Sequence, residues 1–261
     1  MTASDILTAL DLPASSRVDQ RVPKKLLLEN GAPTAADKRH INEGIEELLW
    51  LAALKPSTIG VAEYRDDVRE YLEIAVLRLT LRAGAQTTRL VELVHRAIPY
   101  PVLLLTEQGA QPGVSAAHKR WSQGEAGKTV LDGEVVAVEW DAERDGERWP
   151  AFRDALALGK QPRTSLHALY QGWIDTLLAL HAARVTGAFA VAANAEQAAV
   201  WLDALQECAR LDVEIARLRA AAAKEKQMAR RVELNLELKR LNEQLAMNIE
   251  QLTMRNEGVR K

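Results

Sequence analysis

Hydrophobic and polar positions along this chain fall into two regimes. Up to about residue 160, apolar runs at strand spacing alternate with runs at helical spacing; beyond it only helical spacing remains. Thr34 and Asp37 form a capping pattern ahead of Ile41, Ile45, Leu48, Leu49 and Ala52, which predicts one helix stopped at Lys55-Pro56. "TIGVAEY" reads as a short strand before the charged turn "RDDVRE", and "YLEIAVLRLTL" (71–81) as a longer one. Leu90, Val91, Val94 and Ala97 predict a helix that Pro99 ends. "IPYPVLLLTEQG" is a continuous apolar run, as in a strand buried on both faces. "GVSAAHKRW" (113–121) and "TVLDGEVVAVEW" (129–140) predict two more strands joined through the hairpin loop "SQGEAGK". This order of elements predicts an α/β or α+β globular domain over residues 1–160, a mixed sheet packed with helices.

After the charged loop "DAERDGERWP", Leu166, Leu169, Tyr170, Trp173, Leu177 and Leu180 form one stripe that Gly187 closes, predicting a connecting amphipathic helix within 161–190. Asn194 with Gln197 marks the next helix start, and no glycine or proline follows until past Arg255. Residues 191–261 therefore read as one long C-terminal coiled-coil helix, projecting roughly 90 Å. Its seam is Leu211, Ile215, Leu218 and Ala222, renewed as Leu234, Leu238, Leu241, Leu245 and Leu252, with Asn248 in phase. The two halves are out of register, because the first predicts Leu236 where the second uses Leu234; the slip falls in "AKEKQMARR". A lone helix with such a stripe needs a partner: a second copy, another protein, or earlier helices of the same chain. A homodimeric coil is the first expectation.

Length and composition allow one good-sized domain plus an appendage; a net charge of −2 removes any global attraction to nucleic acid. Cys208 is the only cysteine, which excludes a disulfide framework and fits a reducing cytoplasm. The N-terminus lacks the basic start and apolar run of a secretion signal, and no stretch approaches the roughly 18 apolar residues of a membrane helix. The expectation is a soluble, cytoplasmic protein.

Candidate chemistry is sparse. His40, His95, His118, His167 and His181 are scattered, without HExxH or paired cysteines, so neither metal nor cofactor is expected. "GEAGKT" lacks the first glycine of a phosphate loop and precedes a strand. A divergent metal-dependent nuclease would need an acid and a Glu-x-Lys on neighbouring strands; only a degenerate set, Asp132, Glu134 and Lys128, can be assembled. "AAHKRW" places His118 and Arg120 on one face of a strand, with Lys119 and Trp121 on the other. His118, Lys119 and Arg120, extended by Lys24 and Lys25, are the candidate nucleic-acid contacts, set against a solvated strand end. Lys224, Lys226, Arg230 and Arg231 could touch phosphate but read first as a solvated face paired with Glu225 and Glu233.

"DQRVPKKLLLENG", "AIPYPVLLLTEQG", "VSAAHKR" with "VLDGEVVAVEW", and "KEKQMARRVELNLELKRLNEQL" together resemble a bacterial family described as a domain of unknown function, DUF4391. The resemblance runs from about Asp19 to Leu245, with Met228-Ala229 standing where a bulky aromatic and a polar residue are expected. It transfers no catalytic residue. It implies a setting beside helicase and DNA methyltransferase genes of anti-phage islands. The expected function is a non-enzymatic accessory protein that assembles through its C-terminal coil, with a nuclease or a nucleic-acid-binding module as alternatives.

Overall fold

The computed structural model describes residues 2–125 and 127–258. In chain order its elements are α1 (Ala3–Ala9), β1 (Arg17–Arg21), α2 (Lys24–Asn30), α3 (Ala35–Gly44), β2 (Ile45–Leu54), α4 (Pro56–Ile59), β3 (Tyr64–Arg65), β4 (Glu70–Tyr71) and β5 (Ile74–Leu81). These are followed by α5 (Thr87–Ala97), β6 (Val102–Gln108), β7 (Gln111–Trp121), β8 (Thr129–Glu139), α6 (Ala142–Asp145), α7 (Trp149–Leu156), α8 (Leu166–Thr186), α9 (Ala195–Lys224) and α10 (Met228–Gly258). Two compact units divide the chain, Met1–Leu177 and Leu178–Lys261, the boundary falling within α8.

The first unit is a mixed α/β domain. Among the described residues its main sheet has six strands in the order β1-β2-β5-β6-β7-β8. Neighbours are antiparallel except β5 and β6, whose parallel pairing requires a crossover, and α5 supplies it. Leu77, Leu79, Leu81 and Leu104 pack from the sheet against Leu90, Leu93 and Val94 of α5, with Leu27 of α2 and Ile41 of α3 closing the same core. β5 and β6 are buried on both faces, as the unbroken run "PVLLLT" requires. On the other face of the sheet, the Tyr170 hydroxyl of α8 accepts from Ala117 N–H at 2.8 Å and donates to Val102 O at 2.7 Å.

Three expectations are corrected. The helix predicted from Thr34 keeps its cap, Thr34 Oγ1 accepting from Asp37 N–H at 3.1 Å, but it ends at Gly44. Residues 45–54 are strand β2, hydrogen-bonded to β1 and β5 on its two sides. "IEELLWLAAL" carries apolar residues at both periods, and a central sheet position outweighs its helix propensity. Gly44 is where α3 meets α5: an added Cβ would lie 2.7 Å from Leu90 Cδ1. "TIGVAEY" is not a strand over its length. Pro56 opens the short helix α4, Thr58 Oγ1 accepts from Lys55 N–H at 2.9 Å, and Gly60 ends the helix at φ 66°. The loop "DAERDGERWP" is largely helical, because Asp141 accepts from Glu143 N–H and Arg144 N–H at 2.9 and 3.1 Å to start α6.

In the second unit, the single C-terminal helix proves to be two. Backbone at Glu225 is extended (φ −73°, ψ 125°), and α10 starts three residues later, with Glu225 Oε1 accepting from Gln227 N–H at 2.8 Å. α10 folds back along α9 as a helical hairpin. Leu211, Ile215 and Leu218 of α9 are buried with Leu241, and Leu234, Leu238 and Leu245 pack against them. Trp201 and Leu252 meet in a second cluster with Ala179 and Ala182. Each leucine removed from water in this way contributes on the order of 1.5–3 kcal/mol. The phase slip marks the turn: two antiparallel helices each need their own seam, and no register is carried across the bend. Among the described residues, no helix is long and apolar enough to cross a membrane.

Candidate functional site

A cluster of titratable side chains in the first unit is built on β7, α8 and the small hairpin β3–β4. Tyr71 OH lies 2.5 Å from His118 Nδ1, and His118 Nε2 lies 2.7 Å from Gln171 Oε1. Gln171 Nε2 in turn donates to Asp175 Oδ1 at 2.8 Å. His167 stacks between Tyr64 (centroids 4.8 Å apart) and His118 (5.1 Å). Its Nε2 is 3.3 Å from Arg69 Nη1, and the same guanidinium reaches Asp132 Oδ2 at 2.7 Å.

Burial sets the protonation states. Desolvation lowers His118 to about 4, with only partial relief from Gln171. The His167 imidazole is also lowered, by burial and then by Arg69. Burial raises Asp175 to about 6 against the opposing Gln171 hydrogen bond, and pushes the Tyr71 phenol far above its ordinary range. A neutral His118 that donates through Nε2 to Gln171 accepts from Tyr71 at Nδ1. Both ring nitrogens are thus engaged by protein. The cluster is a polar tie between β3–β4, β7 and α8, in which the buried Nε of Arg69 is left without a hydrogen-bond partner.

The predicted nucleic-acid contacts do not form one surface. Lys119 is interior, with 1% of its surface exposed. Its Nζ donates to Ile98 O at 2.8 Å and to His95 O, closing the C-terminal end of α5, and burial lowers its amine to about 7. It is therefore withdrawn from any phosphate, because strand alternation turns it toward the helix that covers that face. His118 faces α8, and Arg120 lies 3.6 Å from Asp132 Oδ1. Lys24 donates to Asn42 O at 3.2 Å and to Ile45 O; Lys25 is exposed and paired with Glu29 at 3.6 Å. Of the degenerate nuclease set, Asp132 is held by Arg69 and Arg120, and Lys128 by Glu125 at 2.6 Å. No group of three or more His, Cys, Asp or Glu among the described residues could hold a metal ion. His95, on α5, is a neutral structural imidazole: its Nε2 is 2.9 Å from Ser115 Oγ, and burial together with Lys119 lowers it to about 3.

A cleft of about 960 Å³ opens between α5 and the outer strands β7 and β8, with Arg96, Thr106, Ser115, Arg120, Thr129 and Glu134 among its walls. A bulge in β8 widens it. Ala116 pairs with Val136 and His118 with Asp132, so Ala117 alone spans a stretch that takes three residues of β8, with Gly133 at φ 88°. The periodicity of β8 contained no sign of this bulge beyond the glycine itself.

The second unit offers a different surface. The predicted seam residues Leu211, Ile215, Leu218, Leu234, Leu238, Leu241, Leu245 and Leu252 line the interior of the hairpin or its end. The opposite side of α10 carries Met228, Val232, Leu236, Met247 and Met254, each at least half exposed. At about 100° per residue these five fall within a single arc of about 100°, centred opposite the seam. Leu236, which continued the phase of the first seam, is 64% exposed on this outer face. Lys224, Lys226, Arg230 and Arg231 cluster at the hairpin tip, and Arg230 pairs with Glu233 at 2.6 Å.

A family model described as "Domain of unknown function (DUF4391)" matches residues 10–245. No curated protein and no solved structure matches the chain.

Proposed function

The chain belongs to the DUF4391 family, and we propose that it acts as a non-enzymatic interaction protein whose docking element is the C-terminal hairpin. The single observation that carries this reading is a row of exposed apolar side chains on the outer side of α10. Once Leu234, Leu238 and Leu241 face α9, the row through Val232, Leu236, Met247 and Met254 remains exposed on the far side. Exposed apolar residues gathered on one side of a helix whose other face is already covered, here interleaved with Lys239, Glu243 and Glu250, support a further partner rather than folding. The α/β unit, with its cleft along β8, supplies the body that this element tethers. In this reading the protein works in the cytoplasm as an accessory to a DNA-processing assembly, a helicase or DNA methyltransferase of an anti-phage system. Support for that setting is the family resemblance alone.

The test is to replace Leu236 and Met247 together by glutamate in the full chain and to identify by mass what co-purifies from native cells. A specific protein, or a second copy, that is retained by the parent and lost from the variant is the expected result; an unchanged set of associates overturns the reading. As the rival chemistry, metal-dependent cleavage is tested with magnesium or manganese on plasmid and single-stranded DNA. Intact DNA is expected, and cleavage abolished by Asp132→Ala or Glu134→Ala would establish a nuclease instead.

A further inference from the structure

We infer that one side of the α9–α10 hairpin binds the phosphate backbone of duplex DNA, without regard to sequence, through Arg219, Arg231 and Lys239. The inference goes beyond the interaction reading above and does not depend on it, because it uses a different side of the same hairpin.

Charge is segregated around the hairpin. Residues 216–246 carry eight lysines and arginines against four glutamates. Contacts between the two helices mark its two sides: Gln244 Nε2 donates to Glu207 Oε1 at 3.3 Å on one, and Arg219 Nη2 to Asn242 Oδ1 at 3.3 Å on the other. On the first side four arginines are each neutralised by a glutamate three residues away, Arg210 by Glu207 at 2.7 Å, Arg217 by Glu214 at 2.5 Å, Arg230 by Glu233 at 2.6 Å and Arg240 by Glu237 at 3.3 Å. The second side is different. Turning roughly 30–150° from the seam, at about 100° per residue, brings out Arg219 of α9 and Arg231, Asn235, Lys239 and Asn242 of α10. Among the described residues neither Arg219 nor Arg231 has an ion pair; Arg231 touches Met228 Sδ at 3.3 Å, and Lys239 has only Glu243 at 3.9 Å. Of the four glutamates, Glu233 and Glu237 belong to the paired side and Glu243 to the outer face of α10, while Glu225 accepts from Gln227 N–H within the turn. Arg219, Arg231, Asn235 and Lys239 are all exposed.

What fills the space between the cations decides the occupant. Protein partners dock on buried aromatic or large apolar anchors. Here Ala216 and Ala223 lie beside the two asparagines, and Met228 and Val232 stand only at the turn end. An anionic membrane would need bulky apolar side chains on the same side as the cations; Leu236, Met247 and Met254 are on the outer face instead. A single strand is held by stacking on aromatic rings, and no aromatic residue follows Trp201 in the sequence. Duplex DNA asks for none of these, since its phosphates are met by arginine, lysine and asparagine side chains in a polar, positively charged interface. Arg231 and Lys239 are about 12 Å apart along α10, and α9 carries Arg219 about 10 Å to the side, so the two backbones bordering a groove of about 6–12 Å can be reached together.

Fluorescence anisotropy of the full chain with a labelled DNA duplex of about 30 bp, between roughly 50 and 200 mM salt, is the test. Three phosphate contacts give a slope of about −3 for log affinity against log salt, so binding weakens about fortyfold across that range. Arg219→Gln, Arg231→Gln and Lys239→Gln each take about one unit from the slope, and the three together abolish binding. Arg217→Gln, Arg230→Gln and Arg240→Gln together remove the same charge from the paired side and change affinity less than about threefold. Circular dichroism should show unchanged helical content in both triple variants, because every substituted side chain is exposed; if either loses helix, the single variants and their salt slopes decide. No binding at about 50 mM salt overturns the inference. Equal losses from the two triple variants, or tighter binding to a single strand of the same length, overturn it as well. So does retention on phosphatidylserine vesicles that the same three substitutions abolish, which would assign this side to a membrane surface.

Discussion

The Tyr71 hydroxyl lies 2.5 Å from Nδ1 of His118 and joins a two-residue strand to the middle of β7 across 47 positions of sequence. The contact needs an unprotonated Nδ1, and burial maintains one by lowering His118 to about 4. In the unfolded chain the same imidazole titrates near 6.5. Between these values the unfolded state binds the extra proton, so stability falls as pH drops from about 6.5 toward 4. His118→Phe should cost about 1–3 kcal/mol at pH 7.5 through its stranded partners and should flatten this acid slope. Urea midpoints at pH 7.5 and 5 check both.

Asp175, two hydrogen bonds further along, titrates in the opposite sense. Its carboxyl is raised from 3.8 to about 6, so the folded state holds a proton that the unfolded state has lost, and stability falls as pH rises through that window. Above pH 6 the penalty is complete. Asp175→Asn keeps an acceptor for Gln171 Nε2 and removes the charge; it should stabilise the protein by about 1–2 kcal/mol at pH 7.5 and leave it little changed near pH 4. A lower thermal midpoint for the variant at pH 7.5 contradicts this account.

Lys119 gives a third pH signature, on the alkaline side. Its amine is lowered from 10.5 to about 7 by burial, and a neutral amine still has two N–H donors for the His95 and Ile98 carbonyls. The unfolded lysine keeps its proton over this range, so stability rises with pH from about 7 to 10.5 by up to about 1.4 kcal/mol per pH unit. Lys119→Met should abolish the rise in denaturation experiments at pH 7 and 9. The same substitution should leave any DNA affinity unaltered, because the side chain has no access to the surface.

The two sides of α10 should respond differently to truncation. Leu241→Ala opens a cavity inside the hairpin and should destabilise the second unit by about 2–4 kcal/mol. Leu236→Ala, on the outer face, should change stability by less than about 0.5 kcal/mol at low protein concentration. Chemical denaturation followed by circular dichroism separates the two; equal effects would mean that the hairpin is not packed as described.

Sequence by itself determined the elements whose signals are local. The Thr34 and Asn194 caps, the strand "PVLLLT" and the α5 stripe need only neighbours within a turn or two to specify them. The eight seam positions were also legible, as was the slip between Leu234 and Leu236, since both follow from spacing alone. What tertiary structure decided is where each face points. "IEELLWLAAL" became a strand because β1 and β5 flank it, and Lys119 went inside because α5 covers its side of the sheet. The slip became a turn, and Leu236 an outward residue, because α9 lies within reach to cover the other face of α10. Periodicity measures angles around an axis and cannot say which side meets protein; that depends on contacts between segments far apart in the chain.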